Sequence, residues 1–169
     1  MFIETKRMII RDFSPADVND LHEILGDAET MENCEPAYDI EKTGRFLSQF
    51  CIGKKGAFAA VHKDSNKVIG YILFKPVEEG IYEIGWIFNR NFWRQSYSYE
   101  SCSELIRYAF DTLNAHKIIA ETIDNEKSTR LMEKLGMTLE GVQKSQAKDN
   151  SGNWRDLYLY GITVALNSK

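Results

Sequence analysis

Three apolar runs of strand length follow one another between Ala57 and Phe88, and their succession restricts the fold more than any other feature of the chain. Ala57–His62, residues 68–74 and Ile81–Phe88 are separated by Lys63-Asp64-Ser65-Asn66-Lys67 and by a turn at Glu78-Glu79-Gly80. Turns this short reverse a chain but cannot carry it across a sheet, so the three runs are expected as an antiparallel meander. The next strand-like run, residues 117–123, follows Cys102, Leu105, Ile106, Ala109 and Leu113, which recur at the spacing of one helical face. A helical crossover joins parallel neighbours, so Ile81–Phe88 and residues 117–123 are expected side by side and parallel.

The remaining elements follow from punctuation and period. Residues 2–11 read as one strand. Ser14-Pro15-Ala16-Asp17 is a helix start, with a capping serine, a proline at the first helical position and an acid three residues after the cap. Leu21, Ile24 and Leu25 continue that helix, and Phe46, Leu47 and Phe50 mark a second one over residues 40–52. Asn125 is expected to cap a short helix carrying Leu131, Met132 and Leu135, which Gly136 ends. Residues 137–146 and 154–166 read as strands around a loop at 149–153. The order β-α-α-β-β-β-α-β-α-β-β predicts a mixed α+β fold. Its central sheet is mostly antiparallel with helices on both faces, formed as a single domain over residues 1–169.

Composition narrows the classes. With 169 residues, 43% hydrophobic and 27% charged, the chain is long and apolar enough for a real core and is not of disordered type. A formal charge of −4 and the lack of any long basic run give nucleic-acid binding no support. No apolar run approaches the length of a bilayer span. The N-terminal MFIETKRMII lacks the apolar stretch of a signal peptide. Cys34, Cys51 and Cys102 form no CxxC pair, and His22, His62 and His116 show no ligand spacing. The expectation is a reduced, cytoplasmic protein without a metal.

Four stretches carry possible chemistry. The polar loop Trp93-Arg94-Gln95-Ser96-Tyr97-Ser98 runs into the helix of Cys102. A helix start offers unpaired N–H groups and the positive end of a dipole, which suit a pyrophosphate; a plain capping loop is the alternative. On Ile81–Phe88, period two puts Ile81, Glu83, Gly85 and Ile87 on one face. A glutamate among apolar neighbours is either paired, edge-exposed, or a general base whose pKa burial raises. Asn125 and Ser128 stand at the start of the short helix, where capping alone explains the asparagine. Trp154, Tyr158 and Tyr160 share a face of the last strand, as core packing, channel lining or a source of an acid.

Four stretches in order resemble the GNAT family of N-acetyltransferases, in its ribosomal-protein N-acetyltransferase-like (RimJ/RimL-like) branch. Glu4-Thr5-Lys6-Arg7-Met8-Ile9-Ile10-Arg11 is similar to E-T-x-R-L-x-L-R, and Glu83-Ile84-Gly85-Trp86 to E-I-G-Y. Trp93-Arg94-Gln95-Ser96-Tyr97-Ser98-Tyr99-Glu100 is similar to W-x-x-G-Y-A-x-E. Asn125-Glu126-Lys127-Ser128, followed by Glu133-Lys134-Leu135-Gly136-Met137, is similar to N-x-x-S-x-x-x-x-E-K-L-G-F. The resemblance implies a GNAT-like sheet with a splayed parallel strand pair. It implies acetyl-CoA as cofactor, held by backbone groups near Ile87 and Phe88, by Arg94, Gln95, Ser96, Tyr97, Ser98 and Tyr99, and by Asn125 and Ser128. It implies Glu83 as base and Ser128 as acid toward the departing thiolate.

The loop departs from the family where Ser96 replaces a glycine and Ser98 a small residue. A left-handed backbone at 96 would cost a serine about 1–2 kcal/mol, whereas a mere close approach would tolerate it, and its hydroxyl could donate to a phosphate. The implied reaction is direct acetyl transfer to a primary amine, on a protein N-terminus or a small molecule, with no covalent enzyme intermediate. The other reading is a non-catalytic coenzyme A-binding or interaction module. Neither involves nucleic acid or membrane, and both fit a monomer or homodimer.

Overall fold

The computed structural model describes residues 1–164. Among them lie β1 (Phe2–Glu4), β2 (Met8–Asp12), α1 (Val18–Leu25), α2 (Ile40–Phe46), β3 (Ala57–His62) and β4 (Lys67–Glu78). Then come β5 (Ile81–Phe88), α3 (Tyr97–Asp111), β6 (Lys117–Thr122), α4 (Lys127–Lys134), β7 (Thr138–Lys148) and β8 (Trp154–Thr163). One sheet runs β1-β2-β3-β4-β5-β6-β8-β7. Its neighbours are antiparallel except β5 and β6, which are parallel as the helical crossover requires. No helix among the described residues is long and apolar enough to cross a membrane.

The sheet separates two apolar clusters. In β3, Ala57, Ala59 and Val61 join one cluster, while Phe58 and Ala60 join the other. Leu21, Ile24 and Leu25 of α1 complete the first cluster, together with Leu47 and Cys51 from a π-helical stretch, Leu47–Gly53, that prolongs α2. Cys102, Leu105, Ile106 and Ala109 of α3, with Met132 of α4, complete the second. Helices therefore cover both faces, and β3 and residues 68–72 of β4 are buried from both sides.

Several boundaries differ from the sequence reading, among them that of β4, which runs on to Glu78 instead of ending at residue 74. Residues 2–11 are not one strand but a hairpin, with Phe2 opposite Arg11 and Glu4 opposite Ile9. The reversal is held from a distance. Glu100, in the first turn of α3, accepts the Thr5 hydroxyl (2.6 Å), the Arg7 amide (2.7 Å) and Arg7 Nε (2.7 Å). The last strand ends at Thr163, and the expected extension to residues 165–166 lies outside the described residues.

The parallel pair is short. Only Ile81, Tyr82 and Glu83 pair with Lys117, Ile118 and Ile119. Beyond them β5 stays with β4 as far as Gly70 opposite Phe88, and β6 stays with β8 as far as Thr122 opposite Tyr158. The sheet thus splits into two halves past Glu83.

Burial alone would raise the Glu100 carboxyl, but the hydrogen bonds from Thr5 and Arg7 outweigh it and hold it below the usual range. A depressed carboxyl stabilises the fold above its unfolded pKa and loses that contribution as pH falls through the folded value. Glu100→Gln should therefore cost about 1–3 kcal/mol at pH 7. The gap to wild type should shrink below about pH 4.5 in urea titrations at several pH values; a gap independent of pH would contradict this role for Glu100.

Candidate active site

Because β5 and β6 run in parallel, the helices that follow them start at the same end of the sheet, and the split opens toward that end. Contact across it is direct, with Lys127 Nζ of α4 5.1 Å from the ring centroid of Trp93 in the β5–α3 loop.

The loop residues Arg94 and Ser96 are both left-handed, at φ +61° and +62°. Among the described residues no acceptor takes the amide hydrogens of residues 94–99. Consecutive amides turned outward at a helix start form a concave donor surface suited to an anion. Arg94 and Gln95 are exposed, and neither side chain has a partner there. The Tyr97 side chain is buried, with its hydroxyl 3.2 Å from His62 Nε2 and the Arg7 guanidinium 4.3 Å from its ring centroid. Only its amide faces the loop. The Tyr99 ring packs toward α4 beneath Lys134 (4.3 Å).

Strand parity decides which backbone groups of β5 face the split. Asn89 N donates to Ile69 O (2.8 Å), so the opposed pair Gly70 and Phe88 is of the non-hydrogen-bonded kind. Alternation then turns the backbones of Ile84, Trp86 and Phe88 toward the split and commits that of Ile87 to β4. The expected role of the Ile87 backbone is corrected accordingly. At the head of the split, Trp93 Nε1 donates to Phe88 O (2.7 Å).

On the opposite face from α3 and α4, Lys75, Glu83, Ile119, Glu121, Glu140 and Leu159 line a cavity of about 360 Å³. Glu83 is the last β5 residue paired with β6, so it stands at the vertex of the split. It is not isolated among apolar groups: Lys75 Nζ lies 3.1 Å from its carboxylate, which is 19% exposed. Glu140 is paired with Lys117 (2.7 Å). Glu121, which the sequence reading passed over, has no hydrogen-bond or ion-pair partner among the described residues. Water reaches it, yet desolvation by the surrounding protein, then the charge of Glu83, holds its carboxyl above the usual range against the pull of Lys75. Its signal in the sequence was its position, two residues past Ile119 on a strand expected beside Ile81–Phe88.

The carboxylate that caps the start of α4 is that of Asp124, two residues before the N-cap position Glu126, and Asn125 does not cap the helix. The Asp124 carboxylate accepts the amides of Glu126 (2.9 Å), Lys127 (3.0 Å) and Ser128 (3.2 Å) and the Ser128 hydroxyl (3.3 Å). Asn125 is exposed on a second cavity, of about 290 Å³, beside Trp154, Arg155 and Tyr158. Trp154 is 61% exposed while Tyr160 is buried with its hydroxyl on Glu133 (3.3 Å), so the aromatic face of β8 does not form one lining. The described cysteines are free. Burial, then the charge of Glu35, pushes the Cys34 thiol up to about 11, and burial pushes Cys51 up to about 12 and raises Cys102 further. None is poised as a thiolate nucleophile.

Residues 7–138 match the model of the acetyltransferase (GNAT) domain. An uncharacterized N-acetyltransferase of Bacillus subtilis, YnaD, is 33% identical over 165 residues, which cover 96% of each chain. The crystal structure of a GNAT-family acetyltransferase from Bacillus anthracis has a TM-score of 0.87 and 32% identity, over 96% of this chain and 98% of that one. RimL, a ribosomal L7/L12 α-N-protein acetyltransferase in complex with coenzyme A, has a TM-score of 0.84 at 18% identity, covering 97% and 98%, and so shares the fold.

The left-handed backbone at Ser96 settles which cost the serine carries, since an L side chain there is strained by about 1–2 kcal/mol. Ser96→Gly removes that strain but adds chain entropy to the unfolded state, so a net gain of about 1 kcal/mol is expected, a rise of roughly 3 °C in the unfolding midpoint. An unchanged or lowered midpoint in thermal melts would show that the loop bears no such strain.

Proposed function

The chain belongs to the GNAT family of acetyltransferases and is an N-acetyltransferase, and from that premise we propose that it transfers acetyl from acetyl-CoA directly to a primary amine, with a protein N-terminal α-amine as its acceptor class. GNAT acetyltransferases use acetyl-CoA, and the RimL structure of the same fold holds coenzyme A. The observation that carries the reading is the convergence of the split with the donor surface: β5 and β6 part after Glu83 toward the end where the amides of residues 94–99 face outward.

The residues present fit the cofactor. The amides of 94–99, with Arg94, Gln95, Ser96 and Ser98, would hold the pyrophosphate, and Lys127 adds positive charge at the same end. The amides of Trp86 and Phe88, turned into the split, are the donors left for the carbonyl groups of the pantetheine arm. Bound acetyl-CoA supplies an activated acetyl group, which ends on the acceptor nitrogen as an amide while the coenzyme leaves as the thiol. The vertex carboxylates, Glu83 with Glu121 beside it, face the acceptor, and one of them draws off its proton. Ser128, oriented by Asp124 at the other lip of the split, is the hydroxyl that protonates the leaving sulfur. Holding amine and acetyl group in register supplies much of the rate.

The acceptor class follows from proton bookkeeping. An α-amine is about one-tenth neutral at pH 7, a lysine about one part in a few thousand, so the α-amine asks far less of a carboxylate base. Titration calorimetry should detect acetyl-CoA binding, and mass spectrometry of a peptide bearing both amines should find acetyl on the N-terminus well before lysine. No heat of binding would remove the reading. Binding without thioester consumption by α-amines, lysines or small amines would leave only a coenzyme A-binding module, and lysine-first acetylation would overturn the acceptor class.

A further inference from the structure

Resting on the acetyl-transfer reading, we propose that Glu121, not Glu83, is the carboxylate that takes the proton from the acceptor's ammonium. The two stand on the same side of the sheet. Ile84 and Phe88 of β5 and Ile118 and Ala120 of β6 belong to the cluster under α3 and α4, so alternation turns Glu83 and Glu121 to the other face, into one cavity. Their commitments differ. Glu83 sits where the strands are still paired and is tied to Lys75 across β4 and β5, whose register opposes the two residues directly. Glu121 lies two residues past the last paired position of β6, on the diverging part of the strand, with both carboxylate oxygens unengaged among the described residues.

A base must offer a lone pair at the moment the ammonium arrives and must hold a proton near working pH. Glu121 meets the first condition by geometry. The groups that face it act on the second. They are Glu83 from β5, Lys75 from β4, the apolar Leu159 from β8, and Glu140 of β7, whose charge is met by Lys117 of β6 itself. The net surroundings favour the protonated carboxyl, in keeping with its raised value. The ammonium gives one proton to a Glu121 oxygen, which releases it to water, and the nitrogen keeps the neutral lone pair that attack requires. Glu83 is then a positioning residue, the anchored half of an ion pair that fixes the charge at the vertex.

The test compares wild type, Glu121→Gln, Glu121→Asp and Glu83→Gln by turnover against pH at saturating acceptor, and by ¹³C titration of the glutamate carboxyls. Glu121→Gln should lower turnover at pH 7 about 100-fold and flatten the acid limb, whereas Glu121→Asp and Glu83→Gln keep the limb. A carboxyl titrating above the ordinary glutamate range should be missing from Glu121→Gln alone. Calorimetry with acetyl-CoA, unchanged by Glu121→Gln, would show the variant folded; if it does not fold, the limb of Glu121→Asp and the wild-type titration decide. A limb that survives Glu121→Gln, or disappears in Glu83→Gln, overturns the assignment while leaving acetyl transfer standing. Wild type inert toward every amine overturns both.

Discussion

The structure is organised by a hydrogen-bond ladder that stops early. Parallel pairing between β5 and β6 lasts three residues, yet both strands continue, each held by an antiparallel partner on its far side. Closing the ladder further would require the two antiparallel halves of the sheet to share one twist, and would bring Glu121 opposite Gly85, two residues along the strand from Glu83. The cost of leaving it open is a row of β5 backbone groups turned to the split. One of them, the Phe88 carbonyl, is met by the Trp93 indole. The others are donors and acceptors that a strand-like ligand would satisfy, because buried backbone groups need partners.

An opening of this kind is useful only if its rim is rigid, and the rim is fixed by contacts remote in sequence. Glu100 ties the first turn of α3 to the turn between β1 and β2, Arg7 lies over the Tyr97 ring, and the Tyr97 hydroxyl meets His62 at the end of β3. Arg90, just past β5, pairs with Asp27 (3.2 Å) and Glu29 (2.7 Å) in the segment after α1. Asn150, in the β7–β8 turn, reaches the same segment through Ala28 O and Glu32 O (3.2 Å each). The loop of left-handed residues is therefore clamped on both sides, which is how a serine can be held at a backbone angle it would not choose.

What could be read from the sequence was what neighbours along the chain decide. The meander, the α3 stripe at Cys102, Leu105, Ile106 and Ala109, and the stop at Gly136 rest on period and turn chemistry within a few residues. What escaped rests on partners far away. The β1–β2 reversal depends on Glu100, more than ninety residues downstream. Glu83 looks like a lone acid until the register of β4 and β5 puts Lys75 opposite it. Asp124 and Asn125 are equally good caps, and the choice follows from where β6 releases the chain. Whether Ile87 or Phe88 turns its backbone to the split is a matter of strand parity, which side-chain alternation does not reveal.

Net charge said little about the acceptor because the charges are sorted within the molecule. A formal total of −4 averages two ends of opposite character. Arg94, Lys127 and Lys134 lie without ion-pair partners among the described residues around the loop that would take a diphosphate, two of them against aromatic rings. Glu83, Glu121 and Glu140 gather in the cavity at the vertex, with Lys75 and Lys117 answering two of the three. The cationic loop and the acidic cavity thus lie on opposite sides of one split sheet. Such sorting raises encounter and sets orientation more than it raises affinity, since exposed charges are screened beyond about 10 Å.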